Sequence, residues 1–235
     1  MLAIVGDLHG DKQRLLQAVC AAYDEGASAV LGVGDNGWLP EWEEVTVKFP
    51  LPFFTVCGNH EHWQYLTPYM SDRHAVQLSK NYYYCPRGSS LNIDGLNVGF
   101  LGGATSVDSG IQKQYKVWSP HEVLTREQAK RLQPPVDVLI THCPPQGTID
   151  RHLNPHNLSR FGQSIYWKDP CSEVVEFTWK RLGYPQLFCG HLHRPIHDGN
   201  RIRVLGEAEC ILYHRTGHEY PPSPFHLFGS PPSSV

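Results

Sequence analysis

The sequence predicts an α/β fold, and three observations carry that prediction. Short apolar runs of strand length recur along the 235 residues. Stretches with helical spacing lie between them. Five of the runs end in Asp, Asn or His, four of them through a glycine. With 40% apolar residues, the chain has the material for a packed core and is not globally disordered. At this length a core forms without disulfides or a structural metal.

The elements follow in chain order. Leu2 to Val5 is a short apolar run and a buried strand. Asp11 caps a helix with apolar positions Leu15, Val19 and Tyr23, flanked by Leu16 and Cys20, and Gly26 stops it. Ala29 to Val33 and Phe53 to Cys57 are further strands, as are Tyr82 to Cys85, Ser90 to Ile93 and Leu96 to Leu101. Asp94-Gly95 makes a hairpin turn between the last two. Ser119 with Glu122, and Thr125 with Gln128, have capping-box spacing for a helix near Glu122 to Leu132. Val136 to Ile140 is a strand, and residues 143–170, rich in Pro, Gly, Asn and His, form a long functional loop. Cys171 to Leu182 is helical; Gln186 to Cys189, Ile202 to Leu205 and Cys210 to Tyr213 complete the strands. Residues 1–218 are expected to form a single domain, and 219–235 a Pro- and Ser-rich tail.

Composition narrows the class. The formal charge is −3, so no broad basic face for duplex nucleic acid or anionic lipid is announced. No apolar run approaches the ~20 residues of a membrane-spanning helix. The opening Met1-Leu2-Ala3-Ile4-Val5-Gly6-Asp7 has no basic region and does not read as a signal peptide. The seven cysteines are odd in number, lack a CxxC pair and sit mostly in apolar runs. They read as reduced core residues, and the protein is expected to be cytoplasmic.

The chemistry lies where the apolar runs stop. LAIV leads to Gly6-Asp7-Leu8-His9-Gly10, AVLGV to Gly34-Asp35-Asn36-Gly37, and FFTVC to Gly58-Asn59-His60-Glu61. DVLI leads to Thr141-His142, and QLFC to Gly190-His191-Leu192-His193. Ligand sites of α/β folds collect at the C-terminal ends of strands. Carboxylate with imidazole suits Mn, Fe, Zn or Co better than Ca or Mg. The candidate ligands are Asp7, His9, Asp35, Asn59, His142, His191 and His193, too many for one tetrahedral ion. They fit two divalent ions sharing a carboxylate, ~3.5–4 Å apart as in two-metal hydrolases. Two aspartates and a bridging hydroxide against two divalent ions leave a net charge of about +1, which favours an anionic substrate. Phosphate esters are the natural target, because such a pair both delivers hydroxide and neutralises phosphoryl oxygens.

The five motifs GDLHG, GDNG, GNHE, TH and GHLH resemble, in order, those of the calcineurin-like metallophosphoesterases, over residues 6–193. The resemblance implies a four-layer αββα sandwich of two mixed β-sheets flanked by helices, with the metal pair at the strand ends. It implies that Asp7, His9 and His193 hold one ion, that Asn59, His142 and His191 hold the other, and that Asp35 bridges them. His60, Asp35 and Asn59 form its catalytic group, with His60 stabilising a phosphoryl oxygen or protonating the leaving oxygen. Manganese is the expected ion, with Fe, Zn, Co and Ni as alternatives. The chain departs from the phosphoprotein phosphatase branch, whose second motif runs GDxVDRG; here it is Gly34-Asp35-Asn36-Gly37-Trp38-Leu39-Pro40. The phosphate-binding arginine and orienting aspartate of that branch are missing. Leu101-Gly102-Gly103-Ala104-Thr105-Ser106-Val107-Asp108 is similar to a stretch of small microbial and phage-type members.

The expected function is therefore hydrolysis of phosphate mono- or diesters by metal-bound hydroxide, on a small molecule or nucleotide. A nuclease using the same ions is the alternative, less favoured at this charge, and a non-catalytic scaffold would require eroded ligands. No membrane partner is expected, and the oligomeric state is not legible. His152, His156 and Arg160 in the long loop are candidate substrate contacts, and Arg87 and Arg151 candidate phosphate clamps. Tyr82-Tyr83-Tyr84, Trp38, Trp42 and Trp63 are candidates for stacking a nucleobase.

Overall fold

The computed structural model describes residues 1–114, 118–154, 156, 163–164 and 166–214. The strands are β1 (Leu2–Val5), β2 (Ala29–Gly32), β3 (Phe53–Thr55), β4 (Val76–Ser79), β5 (Tyr82–Tyr84), β6 (Ser89–Ile93), β7 (Leu96–Leu101), β8 (Val138–Thr141), β9 (Gln186–Cys189), β10 (Ile196–Asp198), β11 (Ile202–Val204) and β12 (Cys210–Tyr213). The helices are α1 (Lys12–Asp24), α2 (Glu43–Thr46), α3 (Trp63–Leu66), α4 (Ser109–Gln114), α5 (Arg126–Lys130), α6 (Gln146–His152) and α7 (Pro170–Arg181). They form two six-stranded sheets, ordered β12-β1-β2-β3-β5-β4 and β10-β11-β9-β8-β7-β6. Both sheets share one plan: parallel pairs inside and an antiparallel strand on each edge.

Side-chain alternation along the strands builds the layers. Leu2 and Ile4 of β1 and Leu31 of β2 face Val98, Phe100, Val138, Ile140 and Phe188 of the second sheet, and this cluster is the seam between the sheets. Ala3, Val5, Val30 and Phe53 point the other way, onto Leu15, Ala18, Val19 and Ala22 of α1. Leu139, Leu187 and Cys189 face outward from the second sheet onto Ala129 of α5 and Cys171, Val174 and Val175 of α7. Strands covered on both faces need apolar residues at every position, which explains the unbroken runs in the sequence. The architecture is the expected αββα sandwich of two mixed sheets.

Local signals are realised as read in several places. The Asp11 side chain accepts from the Arg14 N–H at the start of α1. Asp94 and Gly95 both adopt positive φ (54° and 75°) between β6 and β7, which register Ile93 opposite Leu96. Thr125 and Gln128 form a reciprocal capping box on α5. All seven cysteines are free, and six are buried.

Other expectations are corrected. Tyr23 is 55% exposed, so the buried stripe of α1 runs through Leu15, Ala18, Val19 and Ala22. Ser119 caps only a 3-10 turn at Pro120–Glu122, and the Glu122 side chain leaves that turn to bond Ser106 and Trp118. Residues 143–170 are not all loop: α6 forms inside them with one aliphatic residue, Ile149, too few to give a period. The edge strands β4 and β10 leave no signal in the sequence, because they are short and mix polar with apolar residues. The tail from 219 lies outside the described residues. No helix of the described residues is long and apolar enough to cross a membrane.

Candidate metal centre

The C-terminal ends of β1, β2 and β3 in one sheet and of β8 and β9 in the other converge on one point. Asp7, Asp35 and His142 are wholly buried there and Asn59 is nearly so, while His9, His60 and His193 are exposed at the rim. His9, Asp35, His191 and His193 all take left-handed backbone conformations (φ 47°, 51°, 69° and 53°). Such conformations cost about 1–3 kcal/mol each in non-glycine residues and persist only where the surroundings impose them. Here they aim successive side chains off the strand ends into the same space.

Each aspartate is held by a backbone N–H from a different motif. His191 N–H donates to Asp7 Oδ2 at 2.8 Å, and His60 N–H donates to Asp35 Oδ1 at 2.7 Å. The other oxygens, Asp7 Oδ1 and Asp35 Oδ2, are buried without a hydrogen-bond partner. An orphaned, buried carboxylate oxygen is costly in a metal-free protein and is what a cation would satisfy. Donor atoms of Asp7, His9, Asp35 and His193 lie within 4.8 Å of one another, a cluster fit to hold a metal ion. His9 Nε2 and His193 Nε2 are 3.0 Å apart, and His193 Nε2 is 3.5 Å from Asp7 Oδ2.

On the other side of Asp35, His142 Nε2 lies 3.5 Å from Asp35 Oδ1 and 3.0 Å from Asn59 Oδ1. His142 Nδ1 lies 2.9 Å from the Val33 carbonyl, which only an N–H at Nδ1 satisfies, so Nε2 is the atom presented inward. The His191 ring packs edge-on against His142 at 5.1 Å. All seven candidate ligands are thus brought together.

The charges are strongly coupled. Burial pushes the Asp7 carboxyl up to about 7, Asp35 adding to the push against the pull of His142. Burial also works on Asp35, but the His142 charge and hydrogen bond outweigh it and hold that carboxyl below its usual value. Burial opposes the charge on His142, yet Asp35 and Asp7 raise it to about 10. Burial and the His142 charge push His191 down to about 3. Without ions, a proton on His142 partly compensates the aspartates.

Glycines make room for this packing. A Cβ on Gly58 would stand 1.9 Å from Asp35 Oδ1, and one on Gly190 2.0 Å from Asp7 Oδ1. Gly190→Ala is expected to cost about 1–3 kcal/mol, as overpacking does, and to move Asp7. A denaturation midpoint in chelator measures this; an unchanged midpoint would contradict the close fit.

His60 lines an open cleft of about 220 Å³ with His9, Gly10, Gly37 and His62. Glu61 was not singled out from the sequence, although it stands in GNHE. Its carboxylate accepts from Gly58 N–H at 2.9 Å and Gly37 N–H at 3.1 Å, tying two motif loops together, and burial with nearby Asp35 lifts it to about 7. Several other candidates take different roles. Arg87 is buried and donates to the carbonyls of His121, Glu122 and Val123, so it is no phosphate clamp. Arg151 forks onto Asp198, which also meets His152 at 3.4 Å. The His156 backbone N–H bonds Asn154, and Arg160 lies outside the described residues. Trp38, Trp42, Tyr82 and Tyr84 are buried in core clusters, Tyr83 stacks on Phe54, and Trp63 packs against the core near Tyr84, so none of the six is a free base platform.

The family model described as calcineurin-like phosphoesterase matches residues 1–195. The lariat debranching enzyme of Schizosaccharomyces pombe is 29% identical over 165 residues, covering 62% of this chain and 34% of that protein. The chain therefore spans about a third of the length of that curated relative. One solved structure aligns at 14% identity over 88% of this chain and 90% of its own, with a TM-score of 0.48. A novel archaeal phosphodiesterase aligns at 13% identity over 88% and 83%, with a TM-score of 0.40. Both scores are too low to bear on this chain. The match of the family model over most of the chain establishes that this chain belongs to the calcineurin-like phosphoesterase family.

Proposed function

We propose that this protein is a binuclear phosphodiesterase acting on a small molecule or nucleotide. The observation that carries the binuclear reading is the pair of orphaned carboxylate oxygens, Asp7 Oδ1 and Asp35 Oδ2, buried among histidines from both sheets. Asp7, His9 and His193 would hold one ion, Asn59, His142 and His191 the other, and Asp35 would stand between. When bound, two divalent ions supply the positive charge that acidifies a water nucleophile and neutralises phosphoryl oxygens. His60, at the cleft wall, donates to a phosphoryl or leaving oxygen. His142 keeps Nε2 inward through its Nδ1–H bond to Val33, and the backbone of His60 and His191 holds the aspartates in place.

The diester preference rests on what lines the cleft. His9, Gly10, Gly37, His60 and His62 offer no arginine or lysine among the described residues, and Arg87 is turned into the protein. A monoester dianion leaves an extra charge that such a wall does not meet, whereas a diester carries one negative charge. The test compares bis-p-nitrophenyl phosphate with p-nitrophenyl phosphate, with Mn, Fe, Co, Ni, Zn or Mg restored to stripped protein. Faster turnover of the bis-ester is expected; the reverse would make the protein a phosphomonoesterase. The name of the fission-yeast relative favours a second reading, a branched RNA as the natural diester. The net charge of −3 weighs against it. Cleavage of branched but not linear RNA would favour it.

A further inference from the structure

We infer that Glu122 and Ser106 are positioning residues that set the polarity of the Asn59 amide, turning its oxygen and not its nitrogen toward the metal centre. This rests on the proposed reading of Asn59 as an ion ligand. An asparagine amide is nearly symmetric in shape, so something must decide which end faces the ion. Asn59 Nδ2 donates to Ser106 Oγ at 3.1 Å, while Asn59 Oδ1 faces His142. Ser106 Oγ in turn donates to Glu122 Oε2 at 2.8 Å. A hydroxyl has one proton. Once it is given to Glu122, Ser106 can only accept from Asn59, and the amide nitrogen must face it.

Glu122 is itself fixed. Its Oε1 accepts from the Ser106 backbone N–H and from Trp118 Nε1, both at 2.8 Å. Ser106 and Glu122 are 2% and 1% exposed, so water does not offer alternative partners. Arg87 holds the turn that carries Glu122 through the carbonyls of His121, Glu122 and Val123. Gly103 lets that turn approach: a Cβ there would lie 2.6 Å from both Arg87 Nη2 and the Glu122 carbonyl.

The polarity argument makes a specific test. In Glu122→Gln, the amide oxygen must stay where two N–H groups point, so the new NH₂ faces Ser106 Oγ and donates to it. The Ser106 proton is then released toward Asn59, whose amide turns over and presents nitrogen to the centre. Titration of stripped full-length protein with Mn²⁺ by calorimetry is expected to give two ions on the wild type. On Glu122→Gln it should give one ion of unchanged affinity and a second bound about 10–100-fold more weakly, the usual loss for an outer-shell partner. The three hydrogen bonds of residue 122 remain, so the melting temperature in chelator should fall by no more than the loss of the His142 Nε2–Asn59 Oδ1 bond. Adding Asn59→Asp, whose carboxylate accepts from Ser106 and still presents oxygen inward, should restore the second ion. Asn59→Asp alone, setting a carboxylate against the Ser106 lone pairs, should not match the wild type. Unchanged affinities in Glu122→Gln would overturn the inference and leave the binuclear reading standing. Equal weakening of both ions with a lower melting temperature and no rescue would also overturn it, as a merely structural role. Fewer than two ions on the wild type would instead overturn the binuclear reading itself.

Discussion

Asp35→Asn is expected to reduce bis-ester hydrolysis by more than ~100-fold, since loss of an outer partner alone costs ~10–100-fold and this carboxylate is the proposed bridge. It is also expected to destabilise the metal-free protein. His142 stands 3.5 Å from Asp35 and owes its charge chiefly to that carboxylate. Removing one partner of a buried charged pair costs about 3–5 kcal/mol. Asp7→Asn provides the contrast. Burial opposes the Asp7 charge, and an asparagine oxygen can still accept the His191 N–H. The metal-free protein with Asp7→Asn should therefore melt at or above the wild-type temperature, while hydrolysis is lost as in Asp35→Asn. The two variants together separate the cost of the site to the fold from its value to the reaction. Turnover within tenfold of wild type in Asp35→Asn would remove it from the chemistry. Equal destabilisation by both substitutions would show that burial and pairing do not distinguish the aspartates.

The gap in melting temperature between Mn-loaded and chelator-treated protein is expected to widen as pH rises from 6.5 toward 9. In the metal-free fold His142 is raised from 6.5 to about 10, so it keeps a proton that the unfolded chain has released. Its contribution is complete below pH 6.5 and is lost as pH climbs toward 10. Asp7 and Glu61, both raised to about 7, act in the same sense below that pH. His191, pushed down to about 3, acts in the opposite sense up to pH 6.5. The opposing contributions overlap below pH 6.5, so the clear window lies above it. Each proton retained only by the folded chain lowers stability by up to about 1.4 kcal/mol per pH unit. Ions remove this loss, because ligating imidazole is neutral and ligating carboxylates are charged at any pH in the window. Their uptake should release protons, which calorimetry in buffers of different ionisation enthalpy would measure. Parallel melting curves with and without Mn²⁺ would contradict the placement of ions at His142 and Asp7.

The strands that matter, and the residue types at their ends, are legible in the sequence. A strand buried on both faces must be apolar throughout, so a Gly-Asp, Gly-Asn or Gly-His following such a run is conspicuous, and those residues are the ones that meet. Asp94-Gly95, Asp11 and the Thr125–Gln128 box were legible for a similar reason: each is a local hydrogen-bond or φ requirement satisfied within a few residues. The rest depends on contacts between distant segments. Arg87 and Arg151 look alike in sequence, yet one is buried under three carbonyls and the other is neutralised by Asp198. Tyr82 and Trp38 form an aromatic group that turns out to be core, because the helical layer covers that face of the sheet. Glu61 bridges two motif loops, and Glu122 reaches Asn59 only through Ser106. The Ser106–Glu122 and Asn59–Ser106 bonds span 16 and 47 residues, which no local pattern records. Which residues gather at the strand ends follows from residue type and spacing, whereas the direction of each side chain follows from packing.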